Sequence, residues 1–252
     1  MALKICSLCS GSKGNATLVM SEKTAVLIDC GISPTRLKRE LADFNLAVGD
    51  LTCVLITHEH SDHISGLGKI SVPVISARQT ITQIARHFDG LRFVDTENFD
   101  LGFEVGDLTV QPFRIPHDAA YPVGYSIFKD GIRAGFATDI GHITQGIVNN
   151  LKGSSFLLLE SNYDRDMLIN GRYPAFLKQR IAAPNGHLSN AECESLIEKL
   201  MSPALKCVMI GHISEENNKH SLAVGCAKKA LLNTSVTLLD CFQTAKTKTV
   251  EV

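Results

Sequence analysis

Short apolar runs recur along this 252-residue chain, and most of them end on a polar or glycine-rich stretch. Runs at 3–8, 16–20, 24–28 and 53–57 are of strand length and predict strands. So do 72–76, 109–115, 123–129, 133–138, 155–159, 206–210 and 236–239, with Lys129-Asp130-Gly131 as a hairpin turn. Ser33-Pro34 supplies a cap and a first-turn proline, which opens a helix running to about residue 44. Further helices are expected at 64–70, 77–87 (with His87 exposed on it), 190–201 and 215–232. The first half is strand-rich and the second alternates strand with helix. No linker, short repeat or low-complexity tract divides the pattern, so residues 1–252 read as a single domain with 243–252 as a frayed tail.

Composition narrows the function classes. A hydrophobic content of 44% supports a substantial core, and a net charge of −1 removes the global basic field of a tight nucleic-acid binder. The eight cysteines are scattered, and the single CxxC at Cys6 and Cys9 has no second pair to complete a zinc ribbon. They read as reduced core thiols. The N-terminus lacks a secretion signal and no run approaches membrane-span length, so a cytoplasmic protein without a membrane partner is expected.

The chemistry concentrates in His58-Glu59-His60-Ser61-Asp62-His63, directly after the apolar run 53–57. Imidazole nitrogen and carboxylate oxygen are preferred ligands of zinc, manganese and iron. Grouping so many at a strand end is costly unless a cation or solvent satisfies them. In an extended turn, residues 58 and 60 can point the same way while Asp62 and His63 turn to a neighbouring point, so one hexapeptide can serve two cations. His117, Asp139 and His212 each stand just past an apolar run, which adds them as candidate ligands. His142 and His220 lack that placement.

The hexapeptide resembles the signature of the metallo-β-lactamase superfamily. The fold this implies is α/β (α+β): four αββα layers, two mixed β-sheets sandwiched between helices. The resemblance assigns His58, His60 and His117 to one divalent ion and Asp62, His63 and His212 to another, with Asp139 bridging and a shared hydroxide as nucleophile. Asp62 thereby also counts among the catalytic groups. The ions implied are zinc or manganese, or iron. Segments 6–15, 56–63, 116–119, 160–164, 186–190 and 211–218 further resemble the YycJ (WalJ) family of bacterial metallo-hydrolases, described as nucleases including exonucleases acting from the 5′ end of DNA. Cys9 departs from the serine of many relatives. Glu160, His187 and His212 also resemble ribonuclease Z, where an acid and a histidine assist phosphodiester cleavage. A histidine titrating near neutrality suits a general acid for the departing alkoxide, and Glu160 can fix its tautomer.

Two dications, less the charge of Asp62, Asp139 and a hydroxide, leave the mouth positive where a phosphate would sit. Lys13, Asn15, Ser189 and Asn190 are the candidate substrate contacts, and the glycine-rich 10–15 connection can offer backbone N–H groups to an anion. Lys13, Arg36, Lys38, Arg39 and Arg165 are candidates to track a strand, and Tyr121, Tyr163 and Tyr173 to stack on bases. Two other classes compete with the nuclease: a thioester, lactone or lactam hydrolase of small metabolites, and a non-enzymatic metal sensor. Oligomeric state and DNA against RNA stay open at this level.

Overall fold

A computed structural model describes residues 2–94 and 99–252. Two seven-stranded sheets form its centre. The first comprises β1 (Lys4–Cys9), β2 (Ala16–Met20), β3 (Ala25–Ile28), β4 (Cys53–Leu55), β5 (Val74–Ile75), β6 (Phe93–Val94) and a C-terminal strand, β14 (Val250–Glu251), in the order β14-β1-β2-β3-β4-β5-β6. The second comprises β7 (Phe103–Val105), β8 (Leu108–Arg114), β9 (Val123–Lys129), β10 (Ile132–Ala137), β11 (Phe156–Glu160), β12 (Cys207–Gly211) and β13 (Thr237–Asp240), in the order β13-β12-β11-β10-β9-β8-β7. Both sheets are mixed: antiparallel from β14 to β3 and from β7 to β10, parallel from β3 to β6 and from β10 to β13.

Alternate residues of each strand face opposite layers. Ile5, Val19, Val26 and Leu55 of the first sheet meet Val110, Tyr125, Phe136, Phe156 and Met209 of the second in the central core. The other faces carry helices. Leu8, Leu18, Leu27 and Val54 pack on α1 (Pro34–Ala42), α2 (Ser61–Ile64) and α3 (Arg78–Ile84). Leu157, Leu159, Val208 and Ile210 pack on α4 (Gln145–Leu151), α7 (Asn190–Leu200) and α8 (His220–Ala230). Helices α5 (Arg165–Asn170) and α6 (Ala175–Ile181) enclose a smaller cluster of Tyr163, Leu168 and Ile181. This is the αββα arrangement expected above. Among the described residues, no helix is long and apolar enough to cross a membrane.

Several boundaries differ from the sequence pattern for identifiable reasons. The helix expected at 64–70 begins earlier, inside the histidine motif, and continues only as a 3-10 turn at Leu67–Lys69. The helix at 77–87 stops at Ile84, leaving exposed His87 in the turn beyond it. The last helix starts at His220, not 215, because Asn217 and Asn218 turn the chain: Asn217 N–H donates to Ser214 Oγ and Lys219 N–H to Asn218 Oδ1. Residues 243–252 are not a frayed tail. Val250 and Glu251 pair with Ile5 and Lys4, Leu3 and Val252 exchange both backbone hydrogen bonds at 3.0 Å, and Val252 is buried. Helices α4, α5 and α6 have no counterpart in the sequence reading. Thr144 and Asp164 cap the first two.

Candidate metal centre

The candidate ligands sit at or just past strand C-termini, all at one end of the sandwich. His58 to His63 follow β4, His117 follows β8, Asp139 follows β10, Glu160 closes β11 and His212 follows β12. Two of these residues, Asp139 and His212, have left-handed backbones (φ 60° and 52°), as does Asp29 (φ 60°) after β3. Such conformations cost of order 1–3 kcal/mol outside glycine and persist where the surroundings over-determine them. The sheets are tied together at this end: buried Tyr125 donates its hydroxyl to Ile56 O at 2.7 Å, and Val123 N–H donates to Thr57 O.

The loop at 10–15 is clamped to the motif. Asn15 N–H donates to Asp62 O at 2.7 Å and Gly31 N–H to Asn15 O. Gly31 has to be glycine, since a Cβ there would lie 1.6 Å from Asp62 O. The amides of Gly11, Lys13, Gly14 and Asn15 all donate within the protein, which fits a turn locked onto the motif more than a cradle for an anion.

Four of the imidazoles share one orientation, and His60 is turned the other way, with Nδ1 toward His117. His58 Nδ1 contacts Thr57 Oγ1 (3.0 Å), His63 Nδ1 contacts Asp29 Oδ2 (2.8 Å), His117 Nδ1 contacts Gly186 O (3.0 Å) and His212 Nδ1 contacts Glu160 Oε1 (2.8 Å). A partner behind Nδ1 fixes the tautomer and leaves Nε2 as the donor toward the centre. His117 Nε2 lies 3.2 Å from His60 Nδ1, and His63 Nε2 and His212 Nε2 each lie 3.4 Å from Asp62 Oδ2. Asp139 stands between, 3.3 Å from His63 Nε2 and 3.8 Å from His117 Nε2. Ligand atoms of His58, His60 and His117 lie within 4.8 Å of one another, as do those of Asp62, His63 and His212.

Among the described residues, the buried atoms around the centre that lack a hydrogen-bond partner include His58 Nε2, Asp118 Oδ1 and Asp139 Oδ2. Orphaned polar atoms at such depth are costly, and His58 and Asp139 belong to a group whose ligand atoms lie within 4.8 Å of one another. The residues present therefore fit divalent cations held by nitrogen and oxygen.

Electrostatics agree. Burial works against ionised Asp62 and Asp139, but the facing His63 and His212 hold both carboxyls below the usual range. Burial would also lower His63 and His212, yet the carboxylates around them (Asp29, Asp62 and Asp139; Asp139, Asp62 and Glu160) raise both well above the ordinary imidazole value. Burial and neighbouring His63 push His58 well below it. Burial alone would raise Glu160, but His187 and His212 hold it at about 2. The cluster thus retains protons where cations would displace them.

Glu160 is fully buried and completely engaged: Oε1 meets both His187 Nδ1 and His212 Nδ1 at 2.8 Å, and Oε2 accepts from Ile140 N and Leu188 N. His187 sits 5.1 Å from His117 and 5.2 Å from His212, ring centre to ring centre. His142 and His220 lie apart, on Pro184 O and Asp240.

The candidate substrate contacts and strand-tracking groups are placed as follows. Of the four candidates, Asn15 belongs to the centre, with Nδ2 3.2 Å from Asp62 Oδ2 and 3.1 Å from His63 Nε2. Ser189 is engaged in a capping box with Glu192, and Asn190 in a buried network with Ser161 and Asn218. Lys13 pairs with Glu215 on the surface. Arg36 points inward to Leu8 O and Gln243 O, Arg39 pairs with Glu40, and Tyr163 is core. Tyr121 is occupied by Arg114 over its ring and by Asp100 at its hydroxyl.

The sequence reading missed three participants. Asp29 ends the run 24–28 as His117 ends its own run, so the same strand-end rule reaches it. Asp118, whose Oδ1 lies 3.5 Å from His117 Nε2, and Arg180, whose Nε donates to Asp118 Oδ2 at 2.6 Å, carry no comparable signal.

Residues 24–213 match the family described as Beta-lactamase superfamily domain. Exodeoxyribonuclease WalJ of Streptococcus pneumoniae is 34% identical over 234 residues, covering 88% of this chain and 86% of that protein. Exodeoxyribonuclease YycJ of Bacillus anthracis is 31% identical over 229 residues, covering 88% and 87%. The crystal structure of the metallo-β-lactamase fold protein YhfI from Bacillus subtilis shares the fold at TM-score 0.77 and 15% identity, over 100% of both chains. The chain belongs to the β-lactamase superfamily and is a metal-dependent hydrolase, and within that superfamily it falls in the group of WalJ and YycJ.

Proposed function

We propose that this protein is a two-metal phosphodiesterase that degrades nucleic acid, acting on DNA as an exonuclease from the 5′ end. His58, His60 and His117 would hold one ion and Asp62, His63 and His212 the other, with Asp139 between them. Zinc, manganese or iron suits this donor set. Bound there, the ions supply Lewis acidity and bring the pKa of a water toward about 7.

One observation supports phosphoryl chemistry above other hydrolyses: the shared carboxylate of Glu160. It holds His187 by Nδ1 at 2.8 Å, which leaves Nε2 to carry a proton at the edge of the centre. An alkoxide departing from phosphorus is a poor leaving group and needs that proton. Burial would lower the His187 pKa, but Glu160 and Asp139 raise it above the ordinary imidazole value. Asn15 donates toward Asp62 and restrains its carboxylate. The relatives named exodeoxyribonuclease, alike over 88% of this chain, support the choice of DNA.

The test is turnover of end-labelled single- and double-stranded DNA and RNA by metal-loaded protein, beside a thioester and a β-lactam, with His60→Ala as control. Release of nucleotides from the 5′ end of DNA, lost in His60→Ala, is the expected result. Thioester turnover with inert nucleic acid would replace this reading by the small-metabolite hydrolase.

A further inference from the structure

Helix α6 lies beside the centre and presents an unusual pair of side chains. Its last turn places Arg180 against Asp118, which is the residue after His117 and lies 3.5 Å from that ligand's Nε2. One turn earlier stands Phe176, 71% exposed and outside every hydrophobic cluster of the described residues. Residues four apart on a helix share a face, about 6 Å apart along the axis. That separation is comparable to one nucleotide of an extended strand. Leu177 and Ile181 take the opposite role and pack inward on Tyr163.

Arg180 is built to bind as well as to be held. Asp118 engages only Nε, and neither terminal nitrogen makes a hydrogen bond among the described residues. A guanidinium anchored by Nε keeps two terminal nitrogens for a phosphate. A large exposed aromatic ring costs solubility without contributing to the fold, and base stacking is the use that fits its position beside a cation. The three candidate tyrosines are packed or otherwise engaged, which leaves Phe176 as the open ring on this helix.

We propose that the Phe176–Arg180 face of α6 is a docking ridge for the single-stranded end of a nucleic acid, Arg180 taking a phosphate beside the scissile one and Phe176 stacking a base one nucleotide further out. This rests on the phosphodiesterase reading above and specifies how its substrate is gripped. The chain's net charge of −1 makes such local contacts the source of affinity.

The test is fluorescence anisotropy of a short 5′-labelled thymidine strand titrated with the full, metal-loaded chain in a His187→Ala background that slows turnover below the time of the titration. Phe176→Ala should weaken binding about tenfold with an unchanged salt dependence, and Phe176→Trp should restore it. Arg180→Gln should weaken binding and flatten the slope of log affinity against log salt by about 0.7, the share of one single-strand phosphate. Metal content, measured on the same samples, should match the parent in every variant, and Lys23→Ala, at an exposed position in the β2–β3 turn, should bind like the parent. If the parent binds and both ridge variants bind equally well, or if Arg180→Gln sheds metal, the ridge is wrong while the nuclease reading stands. If the parent does not bind the strand and the unsubstituted enzyme does not cleave DNA, the nuclease reading fails first and takes the ridge with it.

Discussion

Asp29 stands directly behind His63: its Oδ2 lies 2.8 Å from His63 Nδ1, both groups are buried, and Asp29 reaches that position through a left-handed backbone at φ 60°. The same carboxylate accepts from Thr57 N and Thr57 Oγ1, so it organises the entry to the histidine motif as well as one ligand. Asparagine tolerates this backbone region and keeps an acceptor in place while removing the charge. Asp29→Asn should therefore stay folded and lose roughly 10–100-fold in metal affinity, the usual worth of a carboxylate behind a metal-bound imidazole. Competition against a calibrated chelator measures this.

His187 and Glu160 divide one task. Removing the imidazole in His187→Ala should keep both ions and lower the rate by about two to four powers of ten. Metal loss on that substitution would move His187 into the ligand shell, which its place in a compact group with Asp139, Glu160 and His212 makes a real alternative.

Glu160→Gln tests the sign of the coupling. Burial lowers the His187 pKa and Glu160 raises it, with the net shift upward. A proton donor loses activity as pH rises through its pKa. Without the carboxylate charge that pKa falls, so the alkaline limb of the kcat–pH profile should move to lower pH. A limb that stays in place would remove His187 from the role of acid.

Asp107 joins two hairpins of different sheets: its Oδ1 accepts from Ser21 Oγ and Thr24 Oγ1 at 2.6 Å, and Lys129 lies 3.2 Å from Oδ2. The hydrogen bonds from Ser21 and Thr24 lower its pKa. A depressed carboxylate contributes stability that is fully present above the unfolded value near 3.9 and fades as pH falls through the folded value. Asp107→Ala should cost about 1.5–3 kcal/mol at pH 7, and the gap to the parent should narrow as unfolding is followed below about pH 4. Urea titrations across that range check both parts.

Deleting residues 247–252 removes β14 and with it the pairing to β1 and the burial of Val252. Burial of that one side chain is worth about 2 kcal/mol, which corresponds to a fall of roughly 4–8 °C in Tm for a chain of this size. A truncated protein with unchanged Tm would show that the terminal strand is dispensable.

The strands and the histidine motif were legible because their signals are local: apolar runs of strand length, and imidazoles too dense for an ordinary loop. Glu160, His187 and the ligands past strand ends followed from resemblance and placement, and the structure brings all of them to one end of the sandwich. What escaped the sequence depends on tertiary contact. The terminal strand has only Val250 and Val252 as apolar residues and exists because the edge of β1 is there to pair with. Helices α5 and α6 are short, and their apolar contacts form a small cluster of their own. Ser189 and Asn190 adjoin His187 in sequence, yet the start of α7 turns both away into caps and a buried amide network. Arg180 could not be singled out among 25 basic residues until Asp118 gave it a place.

Elemental analysis of the purified chain tests the central proposal most directly. Two divalent ions per chain are expected in the parent protein, with neither retained in Asp139→Ala, whose carboxylate stands between the two triads. A parent protein that binds no metal under saturating zinc or manganese, or an Asp139→Ala variant that keeps its full complement, would contradict the dinuclear centre.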